Sequence, residues 1–467
     1  MNHDIYVLVP GILGSVLQKD GKDVFALTAG AGFRALFSGG RSITDLQLSE
    51  SALEPAEPGD EEIRPVPDLG DGVTADRLAG DAHLIPGLWK VDGYDEVGEF
   101  LRKRFGLVRG QSYFEFPYDW RRDNRVAAHQ LAASCRQWLA SRRQQYPDAQ
   151  LVLLGHSMGG LVSRYYLEVL GGWRDARRLI TFGTPYRGSL NAVDFVANGF
   201  TRFFGLVDLT DMLCSFPSVH QLLPIYRCVD RGGSKMARLT EVPEVLPRLT
   251  RKQVEAARGF HTEIEDAVAR HRQDDEYVER GYRLRPVVGI DQPTDQSAVW
   301  RGGQLKTMRS YDGKDLGGDG TVPRVSASPQ EAESDQDAMF SSDKHGSLQN
   351  ADGVHTQMRG WINEIDLGDF LAVTPEHVAV DTADVHQAGQ PVSVQLTPSA
   401  PVNRLVASLT WVGGPTQPAS PLETLDLSPG DGATVIEFAP KDPGVYRLQV
   451  EGDEIETVSD LVAVAPT

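Results

Sequence analysis

Residues 151–170, LVLLGHSMGGLVSRYYLEVL, constrain this chain more than any other stretch. Leu151–Leu154 reads as a short buried strand and Gly159–Leu170 as an amphipathic helix, with the turn Gly-His-Ser-Met-Gly between them. A strand that becomes a helix within so few residues forces Ser157 into a strained backbone conformation and holds its hydroxyl out at the turn. Gly155 and Gly159 carry no Cβ, so strand and helix can close around the serine. The helix N-terminus places positive partial charge beside the hydroxyl and beside any oxyanion formed there. The pentapeptide alone is a weak signal in a chain with 47 glycines, and a glycine-rich turn without chemistry has the same letters. The flanks make Ser157 the candidate nucleophile.

The rest of the chain supplies a frame for such a turn. Ile5–Val9, Ser112–Phe116, Leu179–Phe182 and Pro286–Ile290 read as further strands. Val126–Tyr146 has helical spacing, and a closing helix is expected over 354–365, with Val354, Met358, Trp361, Ile362 and Ile365 on one face. Strands alternating with helices mean βαβ units and a mostly parallel sheet with helices on both faces, the α/β-hydrolase arrangement. After Gly368 the texture changes to period-two alternation between Pro and Gly turns, as in Val392–Leu396 and Val445–Val450. That pattern predicts an immunoglobulin-like β-sandwich. The expected division is a catalytic domain over 1–368 and an accessory sandwich of unknown partner over 369–467. Residues 18–90 and 190–250 interrupt the α/β pattern and read as lid or cap insertions.

An activated serine needs a base and an acid, which follow it in that fold in the order acid, then histidine. His261 and His271 fall in a charged helical stretch that reads as solvated surface, His220 in the apolar insertion, and His355 on the closing helix. His345, in the Gly/Ser-rich loop SSDKHGSLQN before that helix, can reach the turn, with His355 as runner-up. Two acids compete. Asp291 directly follows the strand Pro286–Ile290, and Asp319 sits between glycines in LGGDGTVP. The residue pattern leaves them level, and a solvated Gly-Asp-Gly turn is the plain alternative for Asp319.

Composition narrows the partners. A net charge of −19 provides no cationic field for nucleic acid. No apolar run reaches the length of a membrane span, and the N-terminal MNHDIYVLVPG lacks a basic leader, so the sequence as written reads as cytoplasmic. Cys135, Cys214 and Cys228 show no zinc spacing and read as buried or free thiols, with a Cys214–Cys228 pair as the alternative. No cofactor or metal is called for.

Several segments together resemble the lecithin:cholesterol acyltransferase family, which includes lysosomal phospholipase A2 and phospholipid:diacylglycerol acyltransferases. They are VPGILGS after the first strand, PYDWR at 117–121, GHSMGG at 155–160 and FGTPYRGS at 182–189, followed by FPSVHQLLP at 216–224, GGDGTVP at 317–323 and KHGSLQN at 344–350. The resemblance spans roughly residues 5–365. It implies Ser157 as nucleophile, Asp319 as acid in preference to Asp291, and His345 as base. It implies an oxyanion hole from the backbone N–H groups of Ile12 and Met158, and a supporting ion pair of Asp119 with Arg121 beneath the acyl site. The substrate class it implies is a lipid ester, met in solution or at a lipid surface, with acyl transfer or hydrolysis as the reaction. The lid segments depart from the animal members in length and composition, and the lid cysteines of the secreted enzyme have no evident partner here. Sterol or lysosomal specificity therefore does not carry over.

The insertion at 190–250 is apolar, and Phe203, Phe204 and Phe216 are its candidate acyl-binding residues, although a packed cap would use the same side chains. Two rival readings remain. One is an esterase of small soluble esters, separable by comparing short p-nitrophenyl esters with dispersed phospholipid. The other is a non-catalytic hydrolase-fold scaffold whose sandwich binds a partner or glycan, separable by fluorophosphonate labelling.

Overall fold

The structure, a computed structural model, describes residues 3–25, 46–49, 63–80, 83–85, 89–202, 207–232, 235–331, 338–363, 376–414, 418, 420, 422–428, 432–440, 442–453 and 455–466. Six parallel strands form the central sheet: β1 Ile5–Val9, β2 Tyr113–Glu115, β3 Leu151–His156, β4 Ala176–Phe182, β5 Arg283–Gly289 and β6 Met339–Ser341. Their order across the sheet is β6-β5-β4-β3-β1-β2. Every residue of β1 and β3 is buried. That is what near-continuous apolar runs such as IYVLV achieve when helices cover both sheet faces.

Helices α1 Asp95–Phe105, α2 Asn124–Arg143, α3 Met158–Glu168, α4 Arg251–His271 and α5 Asp352–Asn363 complete the frame. α3 is buried along its whole length, packed against β1, β3 and β4 on one side and against α2 and α4 on the other. α4 starts at a reciprocal cap between Thr250 and Gln253. Its buried stripe is Val254, Ala257, Phe260, His261, Ile264, Ala267, Val268 and His271. The expectation of solvated histidines here is therefore corrected: both fall on the apolar stripe. His261 bonds to the Gln221 carbonyl at 2.7 Å, and His271 Nδ1 lies 2.8 Å from Glu168.

The strand order turns back on itself between β1 and β3. From β1 the chain runs outward to the edge strand β2, returns to β3, and then builds away through β4, β5 and β6. The loops after β1 and β3 diverge at that reversal, which is where sheets of this kind generally carry a site at the carboxyl ends of their strands. Ser157 follows β3, Pro10–Gly14 follow β1, and the loop with His345 follows β6.

Residues 18–25 and 73–78 contribute to a three-stranded antiparallel sheet beside this edge. In the other insertion, the described apolar side chains Phe195, Phe200, Leu213, Phe216, Leu222 and Leu223 are buried in the main core. Phe203 and Phe204 lie outside the described residues, as does the expected boundary at Gly368. The three cysteines are free. No helix among the described residues is long and apolar enough to cross a membrane.

The C-terminal part forms two sheets. Val378–Thr382, Val392–Pro398 and Thr434–Phe438 make one. Val385–Gln387, Leu405–Gly413, Leu422–Leu427, Gly444–Gly452 and Ile455–Ala465 make the other. Val380, Val394, Phe438, Leu405, Leu448 and Val462 share a core between them. The alternation in Val392–Pro398 alternates burial in step, as the side-chain period of a strand requires.

Candidate active site

The turn after β3 has the strain its sequence implies. Ser157 sits at φ 52° and ψ −123°, a region that costs a non-glycine residue on the order of 1–3 kcal/mol. Neighbouring bonds over-determine it. Ser157 N–H donates to Phe182 O at 2.8 Å, while Ser157 O accepts from Gly160 N at 3.0 Å and Thr184 Oγ1 at 3.0 Å. The glycines leave no room for anything larger. A Cβ on Gly155 would lie 2.6 Å from Gly160 Cα, and one on Gly159 would lie 2.3 Å from Val9 O.

Three side chains from three loops meet here. His345 Nε2 is 3.0 Å from Ser157 Oγ, and His345 Nδ1 is 2.7 Å from Asp319 Oδ2. With Nδ1–H donated to the carboxylate, Nε2 is the acceptor for the serine hydroxyl. Asp319 Oδ1 accepts from Thr321 N at 2.9 Å and Val322 N at 2.6 Å, and Asp319 O accepts from His345 N at 2.9 Å. The glycine-flanked loop thus fixes the carboxylate by two amides and the histidine by its own backbone. Asp291, the competing acid, has left-handed φ and lies 3.0 Å from His377 of the sandwich. His355, the competing base, stacks on Phe100 at 4.1 Å between ring centres and bonds to Gln349 O.

The loop after β1 passes directly over the serine. A Cβ on Gly11 would come within 2.9 Å of Ser157 Cβ. Ile12 follows Gly11, and Met158 opens α3, where the first turn of a helix has no intrahelical acceptor for its N–H groups. The PYDWR segment braces this loop. Tyr118 Oη donates to Pro10 O at 2.9 Å, Trp120 Nε1 to Ser15 O at 3.0 Å, and Tyr118 N to Ser15 Oγ at 3.0 Å. Arg121 is fully buried and grips Asp119 through two bonds, at 2.9 and 2.7 Å. It also holds Asp71 at 2.9 Å and Leu46 O at 3.2 Å, which ties the first insertion to the frame.

Two site residues escaped the sequence reading. Gly11 N–H donates to Tyr94 Oη at 3.0 Å, Tyr94 Oη lies 2.8 Å from His156 Nδ1, and His156 Nε2 lies 3.0 Å from His345 O. Burial, and then the neighbouring His345, hold the His156 imidazole neutral with a pKa near 3. Neutral His156 therefore accepts from the tyrosine hydroxyl and donates to the His345 carbonyl. This relay joins the loop over the serine to the loop with the histidine. Its signal was in the motif, since the polar residue before Ser157 ends an otherwise apolar buried strand.

The arrangement is closed. Ser157 is 0% exposed and His345 3%. A cavity of about 190 Å³ touches Asp319, His345 and Lys344, with polar walls. Larger cavities of about 480 and 670 Å³ are lined by neither Ser157 nor His345. Phe216, expected at an acyl chain, is fully buried edge-on against Trp120.

No curated protein matches the chain. Among solved structures, lipase BlEst2 of Bacillus licheniformis in its propeptide form aligns over 98% of this chain and 93% of its own, at 11% identity and a TM-score of 0.33. Its mature form aligns over 77% and 91%, at 12% identity and 0.30. A superoxide reductase (neelaredoxin) from Ignicoccus hospitalis aligns over 20% of this chain and 82% of its own, at 8% identity and 0.16. Likeness at these scores carries no argument about chemistry. Asp319 and His345 lie beyond the segment that a protein family matches. Across residues 89–254, which include Tyr94, the Tyr118–Arg121 brace and Ser157, the chain matches the family model of lecithin:cholesterol acyltransferase, and the resemblance read from its motifs is shown there.

Proposed function

We propose that this chain is a serine-dependent acyl-transfer enzyme acting on lipid esters through an acyl-enzyme. The observation that carries the reading is the unbroken line from Ser157 Oγ through His345 to Asp319, at 3.0 and 2.7 Å. Ser157 Oγ attacks the ester carbonyl as its proton passes to His345 Nε2, and Asp319 offsets the charge on the imidazolium. The N–H groups of Ile12 and Met158 receive the oxyanion, each contributing roughly 3 kcal/mol to the transition state. Collapse of the tetrahedral intermediate breaks the bond to the leaving alkoxide, which takes the proton from His345. Water or an alcohol then gives its proton to His345 and attacks the acyl carbon, and collapse of the second tetrahedral intermediate releases the product as Ser157 Oγ takes that proton back from His345.

Because Ser157 and His345 are enclosed, a substrate reaches them only after covering segments are displaced. Closure over the acyl-enzyme would exclude water and favour an alcohol acceptor. The family match supports a lipid ester as donor.

The test has two parts. Wild-type protein should take up a fluorophosphonate and Ser157→Ala should not. Products from a phospholipid donor, with and without a long-chain alcohol, distinguish hydrolysis from transfer. Labelling that persists in Ser157→Ala would sink the nucleophile assignment, and turnover of short p-nitrophenyl esters without any of phospholipid would sink the lipid reading.

A further inference from the structure

We propose that the C-terminal sandwich is a positioning part of the active site, because its strand Ile455–Ala465 holds the loop that presents His345 to Ser157. The proposal rests on the serine-enzyme reading above. It gives the tail a part in the chemistry beyond the accessory one its texture implies.

Ser341, the last residue of β6, and the three residues Ser342 to Lys344 that connect it to His345 each bond to the sandwich. The Glu456 carboxylate accepts from Ser341 Oγ at 2.8 Å, Ser342 N at 2.9 Å and Ser342 Oγ at 2.8 Å. Ser459 N donates to Asp343 Oδ1 at 2.9 Å, and Lys344 Nζ donates to Val380 O at 2.5 Å. From the hydrolase side, Gln292 Nε2 donates both to Ser342 O and to Val378 O, which bridges the loop to the other sandwich sheet.

The far side of the same loop is fixed through a second strut. Gly346 O accepts from Asp92 N at 2.9 Å, and a Cβ on Gly346 would lie 2.3 Å from Lys90 O, so the loop presses on the 90–92 backbone. That backbone is itself held by the sandwich. Lys90 Nζ pairs with Asp384 at 2.6 Å and Asp460 at 2.9 Å, and Arg447 pairs with Asp92. Asp384 and Asp460 also wall the cavity that touches His345 and Asp319. His345 thus sits in a loop gripped on both flanks by one strand and its neighbours.

A base whose loop shifts by about 1 Å loses up to about a hundredfold in rate while substrate binding stays intact. Glu456→Ala in the full chain should therefore lower kcat per titrated site by about ten- to a hundredfold and leave KM for p-nitrophenyl butyrate unchanged. Titration with a fluorophosphonate counts folded sites, so lost folding registers as fewer sites and lost positioning as slower sites. Glu456→Gln keeps an acceptor for Ser342 N–H and should recover most of the rate. Ser342→Ala removes part of the same contact from the hydrolase side. Combined with Glu456→Ala it should cost no more than Glu456→Ala alone. The exposed sandwich change Val435→Ser should alter nothing.

Full kcat per site in Glu456→Ala, or losses that multiply in the double variant, would overturn the proposal. If Glu456→Ala fails to fold, Ser342→Ala decides: an unchanged kcat overturns the proposal and a lowered one supports it. Wild-type protein that takes up no fluorophosphonate would instead defeat the serine-enzyme reading on which the proposal rests.

Discussion

Tyr94→Phe removes one oxygen atom and changes almost no volume, so its effect can be assigned to hydrogen bonds alone. In the folded protein that oxygen accepts from Gly11 N at 3.0 Å and faces His156 Nδ1 at 2.8 Å, in surroundings that leave Tyr94 2% exposed and His156 0%. Phenylalanine leaves both groups buried without this partner. Each costs about 1–3 kcal/mol, so the pair costs roughly 2–6 kcal/mol. A tautomer change does not rescue the imidazole, because moving its proton to Nδ1 takes the donor away from His345 O. The Gly11 peptide leads into Ile12, so the loop over Ser157 loosens together with the histidine loop. Thermal melting should fall by several degrees, and kcat per titrated site should drop by about ten- to a hundredfold. Tyr118→Phe is the internal comparison. Its hydroxyl only donates to Pro10 O, a carbonyl with a second lone pair, so the cost should be near 1 kcal/mol. A Tyr94→Phe protein as stable and fast as Tyr118→Phe would refute the relay.

Asp319→Asn should lower kcat by about 10⁴ by misorienting His345, whereas Asp291→Asn, which loses a half-exposed partner of His377, should cost far less; steady-state kinetics on a short ester decide. His156, His220 and His261 are buried and held neutral with pKa values near 3, 4 and 4, chiefly by desolvation. Their depressed values mean that the unfolded chain binds protons the folded one refuses. This stability is therefore complete above about pH 6.5 and lost as pH falls toward 4, at up to about 1.4 kcal/mol per pH unit for each histidine. A melting temperature that stays level from pH 6.5 to 4.5 (roughly the window between the unfolded and folded values) would contradict that. Phe216→Ala should cost roughly 3–5 kcal/mol and affect short and long acyl esters alike, while a selective loss on long chains would return Phe216 to the acyl site.

The parts of the fold that depend on local pattern were legible in the sequence. β1 was readable residue for residue, and the nucleophile turn carried its own strand and helix, because a buried parallel strand and an amphipathic helix each write their period into the chain. Ser157 followed from the turn together with its flanking strand and helix, and His345 was favoured by its loop. Asp319 against Asp291 did not follow from pattern, since both sit at strand ends or glycine loops and only the third dimension brings one to the imidazole. His261 and His271 were misread because the charged residues around them hid an apolar stripe whose spacing includes both. The relay through Tyr94 and His156 links positions 62 and 189 residues apart, and the Glu456 contact spans 114. No window along the chain reports contacts of that kind.

That last separation has a meaning in time. A ribosome adding about 5–20 residues per second delivers Ser342 roughly 6–23 s before the Glu456 that grips it. During that interval the sheet strands, Ser157 and Asp319 have all been made, while the histidine loop lacks its bonds to Glu456 and Ser459. Under the serine chemistry proposed above, a nascent chain would therefore hold an assembled scaffold with a loosely held base, and full activity would arrive late in synthesis, at the moment the sandwich closes.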